Sequence, residues 1–289
     1  MLRALLVSFA MLAVNSGLGA AQTAAPETGN QYPNAHSNAA AGASSGEDPA
    51  AENELLEAAN KNRELAGVAP FRMDESLRAA ARAHAQRMVA TEQLEHRLPG
   101  EQSLLERIAQ TSTLKIDRVG ENIAYAGSGS TANETLMRSP PHRENLLDRG
   151  FNLAGIAAFW SKGRLYVVQD FAHEVPTYSA QEIGKLIART VDELRQRAGL
   201  PDLIQRTPPK LDEAVCSLAR ENPPNARLIA TAYDNRKIVT YTQSRPEVLP
   251  SAAVSMLRDP IIHQFAVGAC HARNAAYPTG TYWVAILLY

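Results

Sequence analysis

The sequence predicts an α+β fold in which helices pack on an antiparallel sheet. Helical patterns come first along the chain, beginning near Glu52. Two strand patterns follow, Leu153 to Trp160 and Leu165 to Phe171, separated by a turn of hairpin length. Another helix begins at Gln181. Helices that are followed by paired strands and a new helix indicate a layered α+β structure, because each amphipathic element must bury its apolar face against another layer.

The first residues have the pattern of a cleavable export signal. Arg3 gives the positive start, Ala4 to Val14 form a short apolar run, and Gly19 and Ala21 are small residues at cleavage spacing. That run is shorter than the roughly 20 apolar residues that cross a bilayer. We therefore expect residues 1–21 to be removed on export to the periplasm or the medium, leaving no transmembrane segment. An uncleaved N-terminal anchor is the alternative.

Residues 22–50 are predicted to form a disordered linker. They are rich in Ala, Ser, Gly, Asn and Pro and nearly lack large apolar side chains. Such a segment buries too little surface to offset the entropy that ordering would cost.

The charge balance argues against polyanionic partners. Lys and Arg number 29 and Asp and Glu number 30, for a net charge of −1 at pH 7. The two signs are well mixed along the chain. Proteins that bind nucleic acid or an anionic membrane carry a concentrated positive patch, so neither partner is expected.

Two helices are predicted at the start of the folded part. The first runs from Glu52 to Leu65 and ends at Gly67. The second begins after Asp74, a residue type that caps helix N-termini well. One face of this second helix is apolar and should be buried, so His84 on that face is interpreted as a satisfied core histidine. The face comprises Leu77, Ala81, His84, Ala85 and Met88.

Several polar motifs lie between the second helix and the strands. A loop holds His96, a short helix covers Leu104 to Ile108, and Gly120-Glu121-Asn122-Ile123-Ala124 follows. A brief helix then reaches Met137. The segment Ser139-Pro140-Pro141-His142 should break it, because each proline pushes the preceding residue away from helical geometry.

The ordered set of motifs is more specific than any one of them. The set comprises Asn60, Arg63 and Gly67; Leu77, His84-Ala85 and Met88; His96; Gly120 to Ala124; Ser139-Pro140 with His142-Arg143; and Gln169-Asp170-Phe171. In this order the motifs resemble the CAP superfamily of cysteine-rich secretory proteins, antigen five and plant pathogenesis-related proteins, in its shorter bacterial branch. The resemblance implies a CAP domain at residues 51–175, a three-layer α-β-α sandwich with a central antiparallel sheet.

The resemblance also implies a cavity lined by two histidines and acidic residues, which correspond to His96, Glu121 and His142. All three are expected in loops or at element ends, where sites are usually carried. Two neutral imidazoles and one carboxylate are a plausible ligand set for zinc or another divalent cation. Without a metal, the carboxylate could orient an imidazole for acid–base work.

The chain departs from the family pattern beside His142. Leu136 replaces the tryptophan that usually precedes the Ser-Pro-x-His segment, and the second cavity glutamate of animal members would fall near Ser139. Glu134 or Glu144 could substitute for it. With one carboxylate fewer, a bound metal should be held with modest affinity.

Residues 181–289 are predicted to be a degenerate second CAP-like copy. Matching Pro260 to Pro140 puts Tyr241 where Glu121 stands, so the copy lacks the cavity residues. The alternative is an unrelated α+β domain. The matched segments are Arg63 to Gly67 with Arg195 to Gly199, the apolar helix face with Leu211, Val215, Leu218 and Ala219, and the strand pair with Phe265 to His271 and Thr281 to Tyr289.

The chain contains two cysteines, Cys216 and Cys270. In an oxidising compartment an even pair is more often bridged than free. We predict a disulfide between them, and their separation excludes a CxxC metal or redox motif.

Three functions stay open on this evidence. The favoured one is an exported binding module for a lipid, a glycan or a protein partner, with a cavity able to hold a divalent metal. The alternatives are a metal-assisted hydrolase acting on a peptide or cell-wall substrate, and an extracellular scaffold with a vestigial cavity. No Gly-x-Ser-x-Gly motif lies between a predicted strand and a predicted helix, and the sequence contains no His-Glu-x-x-His pair, so no particular reaction is indicated.

Overall fold

The computed structural model describes residues 46–221, 225–233 and 237–289. Within them the chain forms two compact units, one ending at Glu174 and the other beginning at Val175. The predicted signal at 1–21 and most of the predicted linker lie outside the described residues. No helix in the described part of the chain is long and apolar enough to cross a membrane.

The first unit is a three-layer α-β-α sandwich around a mainly antiparallel sheet. Its strands are β1 (Gly46–Glu47), β2 (Arg72–Met73), β3 (Ile116–Ala126), β4 (Leu153–Ser161) and β5 (Arg164–Glu174). They lie in the order β1-β4-β5-β3, and β2 runs parallel to β4. One face packs against α1 (Pro49–Leu65), α4 (Gly129–Arg138) and α5 (Pro140–Leu147). The other face packs against α2 (Glu75–Thr91) and α3 (Leu104–Thr111).

The end of the predicted linker belongs to the fold. Strand β1 pairs with the end of β4. Asp48 accepts hydrogen bonds from the backbone N of Ala51 at 3.0 Å and from Nε1 of Trp160 at 2.9 Å, which caps α1. Backbone pairing and a cap order these small polar residues without apolar burial, so composition alone missed them.

The predicted strand pair is confirmed as a β-hairpin. Ser161 pairs with Arg164, which leaves Lys162 and Gly163 as a two-residue turn. Both turn residues have positive φ, 50° and 75°. This turn matches the right-handed twist of the flanking strands.

Arg63 fixes the segment that leads from α5 into β4. Its side chain is only 1% exposed. It donates to the backbone carbonyls of Ala69 at 2.6 Å, Leu146 at 2.9 Å and Phe151 at 2.9 Å. Burial lowers the pKa of Arg63, against the opposing effect of Asp148. The arginine thereby ties the end of α5 to α1.

The second unit has a four-stranded sheet with helices on both faces. Its helices are α6 (Ala180–Arg197), α7 (Leu211–Arg220), α8 (Arg227–Ala232) and α9 (Ser251–Leu257). Its strands are β6 (Ile204–Arg206), β7 (Lys237–Gln243), β8 (Gln264–Asn274) and β9 (Tyr277–Leu288). Helices α6 and α9 share one core with the sheet, and α7 and α8 share the other.

Both units pair their strands in the same pattern. The second sheet has the order β6-β8-β9-β7, with β6 parallel to β8, as β2-β4-β5-β3 has in the first unit. The predicted pairing of β8 with β9 is confirmed. Arg195 also repeats the contacts of Arg63, since its Nε donates to the carbonyl six residues ahead, that of Pro201, at 2.6 Å. These parallels support the predicted repeat.

Strand register changes one detail of the predicted repeat. In the first unit Gly155 faces Asp170, which faces Glu121. In the second unit Gly268 faces Ala285, which faces Thr240. If Gly268 is matched to Gly155, the register puts Thr240, one residue before the predicted Tyr241, at the position of Glu121. Thr240 and Ala285 lack the carboxyl groups that Glu121 and Asp170 have in the first unit.

The predicted disulfide is confirmed. Cys216 of α7 and Cys270 of β8 are bonded, with their Cα atoms 5.2 Å apart. The bond joins a helix to the central sheet of the second unit.

Candidate functional site

Glu121 and His142 lie within regular structure. Glu121 was expected in a loop or at an element end, but it lies in the middle of β3, opposite Asp170 of β5. His142 is the third residue of α5. Ser139 between α4 and α5 is extended, so the first helix is broken as predicted, yet the prolines then begin a new helix. Pro is well suited to the first helical position, because its missing N–H would have no partner there.

His96 is hydrogen bonded to Glu121. The Nδ1 atom of His96 lies 2.8 Å from Oε1 of Glu121. Burial would raise the pKa of Glu121, but the bond from His96 and the charge of Arg107 outweigh it and hold that pKa below its usual range. Glu121 is thus a carboxylate that only accepts, so Nδ1 of His96 carries the hydrogen. The side chain of His96 is 40% exposed, and no described residue bonds to its Nε2.

Arg107 of α3 occupies the other oxygen of Glu121. Its NH2 group pairs with Oε2 of Glu121. Arg107 was not predicted from the sequence, although a signal was present. Leu104, Arg107 and Ile108 are all buried and share one face of α3, and a charge on the apolar face of a helix must be paired when it is buried.

His84 and Glu101 form a buried pair beneath the same site. His84 is fully buried, as its place on the apolar face predicts. Its Nε2 donates to the carbonyl of Glu95 at 3.0 Å, and its Nδ1 lies 2.9 Å from Oε1 of Glu101. Nε2 of His84 also approaches Oε2 of Glu121 to 3.9 Å. The core histidine is therefore satisfied by a carboxylate that sequence reasoning did not identify.

Asp170 places another carboxyl group next to Glu121. It is fully buried, and neither of its oxygens has a well-formed hydrogen bond to a described residue. Burial, followed by the negative charge of Glu121, raises the pKa of Asp170 well above its usual range. The raised pKa of Asp170 favours its neutral form beside the lowered pKa of Glu121, which avoids two negative charges in one buried place.

Two asparagines tie His142 to β3. Nδ2 of Asn122 donates to the carbonyl of His142 at 3.1 Å. Nδ2 of Asn145 donates to the carbonyl of Glu121 at 3.2 Å and to Oδ1 of Asn122 at 3.0 Å. Burial, and then repulsion from the neighbouring His96 whenever that ring is protonated, lowers the pKa of His142, which favours the neutral imidazole of His142.

The residues offered as substitutes for the second glutamate do not join the site. Glu134 pairs with Arg138 at 3.3 Å on the exposed side of α4, and Glu144 is exposed. Leu136, in place of the family tryptophan, is fully buried. The carboxylates near Glu121 are Glu101 and Asp170 instead.

The site does not fit a metal centre with three protein ligands. Both oxygens of Glu121 are taken by His96 and Arg107. Among the described residues, no group of three or more His, Cys, Asp or Glu side chains is arranged to hold a metal. Glu121 is placed to orient His96, which leaves at most the two imidazoles as ligands.

A second histidine–carboxylate pair lies elsewhere on the first unit. Nδ1 of His173 is 2.7 Å from Oδ1 of Asp117. The side chain of His173 is 38% exposed, close to the value for His96. It provides a matched control for experiments on His96.

The fold and this arrangement define an α-β-α module with an exposed imidazole above a buried charged network. The family model for the CAP, or cysteine-rich secretory protein, family matches residues 56–171. This part of the chain, within the first unit, belongs to the CAP family. No curated protein sequence matches the chain.

Solved structures with related folds are similar to parts of the chain. An extracellular protein with an SCP domain from Bacillus anthracis is 21% identical, with a TM-score of 0.39 over 43% of this chain and 41% of that chain. An outer surface protein from Borrelia burgdorferi is 15% identical, with a TM-score of 0.42 over 45% of this chain and 99% of that chain. A cysteine-rich secretory protein from Staphylococcus aureus is 21% identical, with a TM-score of 0.35 over 44% and 40%. The chain spans less than half of the Bacillus and Staphylococcus proteins.

Proposed function

We propose that the first unit is an exported binding module that holds its ligand at the imidazoles of His96 and His142. The observation that carries the proposal is the hydrogen bonding of the two ring nitrogens of His96. Its Nδ1 is bound to a buried carboxylate, whereas its Nε2 has no partner among the described residues. An oriented, half-exposed acceptor of this kind is suited to receive a hydrogen bond from a ligand.

The surroundings favour binding over covalent catalysis. No hydroxyl or thiol of the described residues is hydrogen bonded to His96 or His142. The two cysteines are bonded to each other in the second unit. A histidine that activates a nucleophile needs the hydroxyl or thiol within hydrogen-bond reach. The ligand classes we propose are a lipid, a glycan or a protein partner.

Export is part of the proposal. The N-terminal pattern is that of a signal segment, and the bonded pair Cys216 and Cys270 supports the same conclusion. Disulfides persist in oxidising compartments and are rare in the cytosol.

Native mass spectrometry of the full chain, purified from its own periplasm or medium, tests the proposal. We expect a non-covalently bound molecule that is lost from a His96→Ala, His142→Ala double variant and kept by His173→Ala. The His173→Ala control removes an imidazole of similar exposure that also lies within hydrogen-bond distance of a carboxylate. Wild-type protein that carries nothing, or equal retention by all three proteins, would contradict a ligand site at His96.

The hydrolase is the second candidate, favoured by the orientation of His96. A carboxylate that holds one imidazole nitrogen can prepare the other as a general base. Turnover of a peptide or cell-wall fragment that disappears in His96→Ala and persists in His173→Ala would favour catalysis. Retention of the ligand without turnover would favour the binding module.

A further inference from the structure

Arg107 contacts the His96–Glu121 pair in two places. Its NH2 group pairs with Oε2 of Glu121, the oxygen that His96 does not use. Its NH1 group donates to the backbone carbonyl of His96 at 3.0 Å. The guanidinium thus holds both the carboxylate that orients the imidazole and the backbone that carries it. The fixed fork of guanidinium donors makes such a double contact possible.

Arg107 is itself held by buried groups. It is 6% exposed on α3, and its NH1 group lies 3.8 Å from Oε2 of Glu101. Glu101 in turn accepts from the backbone N of Leu98 at 3.0 Å and faces His84 at 2.9 Å. A side chain that is packed and bonded on several sides has few alternative rotamers, so it can fix its neighbours.

We propose that Arg107 is a positioning residue that holds His96 in the tautomer with the hydrogen on Nδ1, so that Nε2 meets the ligand as an acceptor. The inference rests on the proposed function, because a fixed tautomer matters only where a ligand reaches Nε2. The ligand atom that meets Nε2 is then a donor, such as a hydroxyl or an amide N–H.

The proposal follows from what Glu121 would do without Arg107. A buried carboxylate needs compensation for its lost hydration. With Arg107 gone, Oε2 of Glu121 loses its partner and the carboxylate is free to rotate. A rotated Glu121 no longer accepts from Nδ1 in the same geometry. The imidazole would then be free to place its hydrogen on Nε2.

Nitrogen-15 NMR of the histidine side chains in the full chain, without ligand, tests this role. In the wild type we expect Nδ1 of His96 to be protonated and Nε2 to be bare. In Arg107→Gln we expect the Nε2 resonance to move toward the protonated position. The matched control is Arg78→Gln, which removes an arginine from another buried carboxylate, that of Glu52, bonded at 2.8 Å. It should leave the His96 resonances unchanged.

Arg107→Lys provides a second variant in case the glutamine variant does not fold. Lysine keeps the positive charge but lacks the forked donors of the guanidinium, so it can keep only one of the contacts with Glu121 and the carbonyl of His96. We therefore expect a smaller shift of the Nε2 resonance of His96. An unchanged His96 tautomer in every folded Arg107 variant overturns the proposal, as does an equal shift in Arg78→Gln.

The same experiment separates this inference from the proposed function. The tautomer is measured without ligand, so the predicted shift can appear even in a chain that binds nothing at His96. In that case the proposed function fails and the positioning role stands. If ligand retention depends on His96 but Arg107 variants keep the wild-type tautomer, the positioning role alone fails.

Discussion

Gly155 of β4 lies against the backbone of Leu77 at the start of α2. A Cβ atom added at Gly155 would stand 2.2 Å from the carbonyl carbon of Leu77. This close approach seats α2, the helix that carries His84, on the sheet. Gly268 has the same relation to Leu211 in the second unit, where an added Cβ would stand 2.5 Å from Cγ and 3.1 Å from the carbonyl oxygen.

Gly155→Ala should therefore destabilise the first unit by about 1–3 kcal/mol or more, the usual range for overpacking. The clash is with backbone, which cannot rotate away. Gly268→Ala should cost less, because its closest contact is a leucine side chain. Gly127→Ala is the control, since an added Cβ there meets nothing within 4 Å. Urea unfolding measures all three, and equal midpoints for Gly155→Ala and Gly127→Ala would refute the packing argument.

Replacing both Cys216 and Cys270 by serine should destabilise the second unit. The disulfide spans a sequence separation of 54 residues. A loop of that length corresponds to roughly 4 kcal/mol in the chain-entropy model. Urea unfolding of the oxidised wild type against the double variant gives the value. Two reactive thiols in the unfolded, unreduced exported protein would mean that the bond does not form.

Asp170→Asn should change how stability depends on pH. The raised pKa of Asp170 means that the folded chain keeps a proton that the unfolded chain releases above its ordinary pKa of ~3.9. The bound proton on Asp170 stabilises the folded chain fully below that pH. This stabilisation is lost as pH rises toward the pKa of Asp170 in the folded chain, by up to about 1.4 kcal/mol per pH unit. Asparagine does not titrate. The stability of the variant minus that of the wild type should therefore grow as pH rises from 4.

Urea unfolding of both proteins at several pH values between 4 and 8 provides the comparison. Subtracting the two curves removes the titrating groups that do not interact with Asp170. A difference that stays constant across this range would show that Asp170 is charged in the folded chain.

Zinc should bind only weakly at His96 and His142, because the arrangement leaves only these two imidazoles as ligands. Calorimetry should show weaker binding than a site with three protein ligands supports. His173→Ala should keep the wild-type behaviour. Equal binding by wild type and a His96→Ala, His142→Ala variant would place the metal elsewhere, and tight binding that needs Glu121 would contradict the arrangement described.

Fold features that depend on local patterns were predictable. The helix start at Asp74 was confirmed. It was predictable because the capping residue and the apolar helix face that follows it are close together in the sequence. The hairpin at Lys162 and Gly163 was confirmed for the same reason. Strand β3 was not recognised, since only its central motif stood out. It is buried along most of its length, so it lacks the alternation that marks a half-exposed strand.

For the candidate site, the sequence led to a prediction of three residues and of none of their partners. Resemblance supplied His96, Glu121 and His142. Arg107 was missed, and Asp170 was noted in a family motif but not assigned to the site, because a sequence does not show which polar side chain of one element meets that of another. Asp170 becomes a partner of Glu121 only through the register of β3 with β5. Pairings of this kind are set by tertiary contacts.

The tautomer of His96 in the wild-type chain is the most direct test of the account. Long-range proton–nitrogen spectra of the full chain near neutral pH, assigned with His96→Ala, report which ring nitrogen carries the hydrogen. We expect a protonated Nδ1 and a bare Nε2, because Nδ1 lies 2.8 Å from a carboxylate that can only accept. A hydrogen on Nε2 with a bare Nδ1 would contradict it, since Glu121 would then not orient the imidazole toward a ligand.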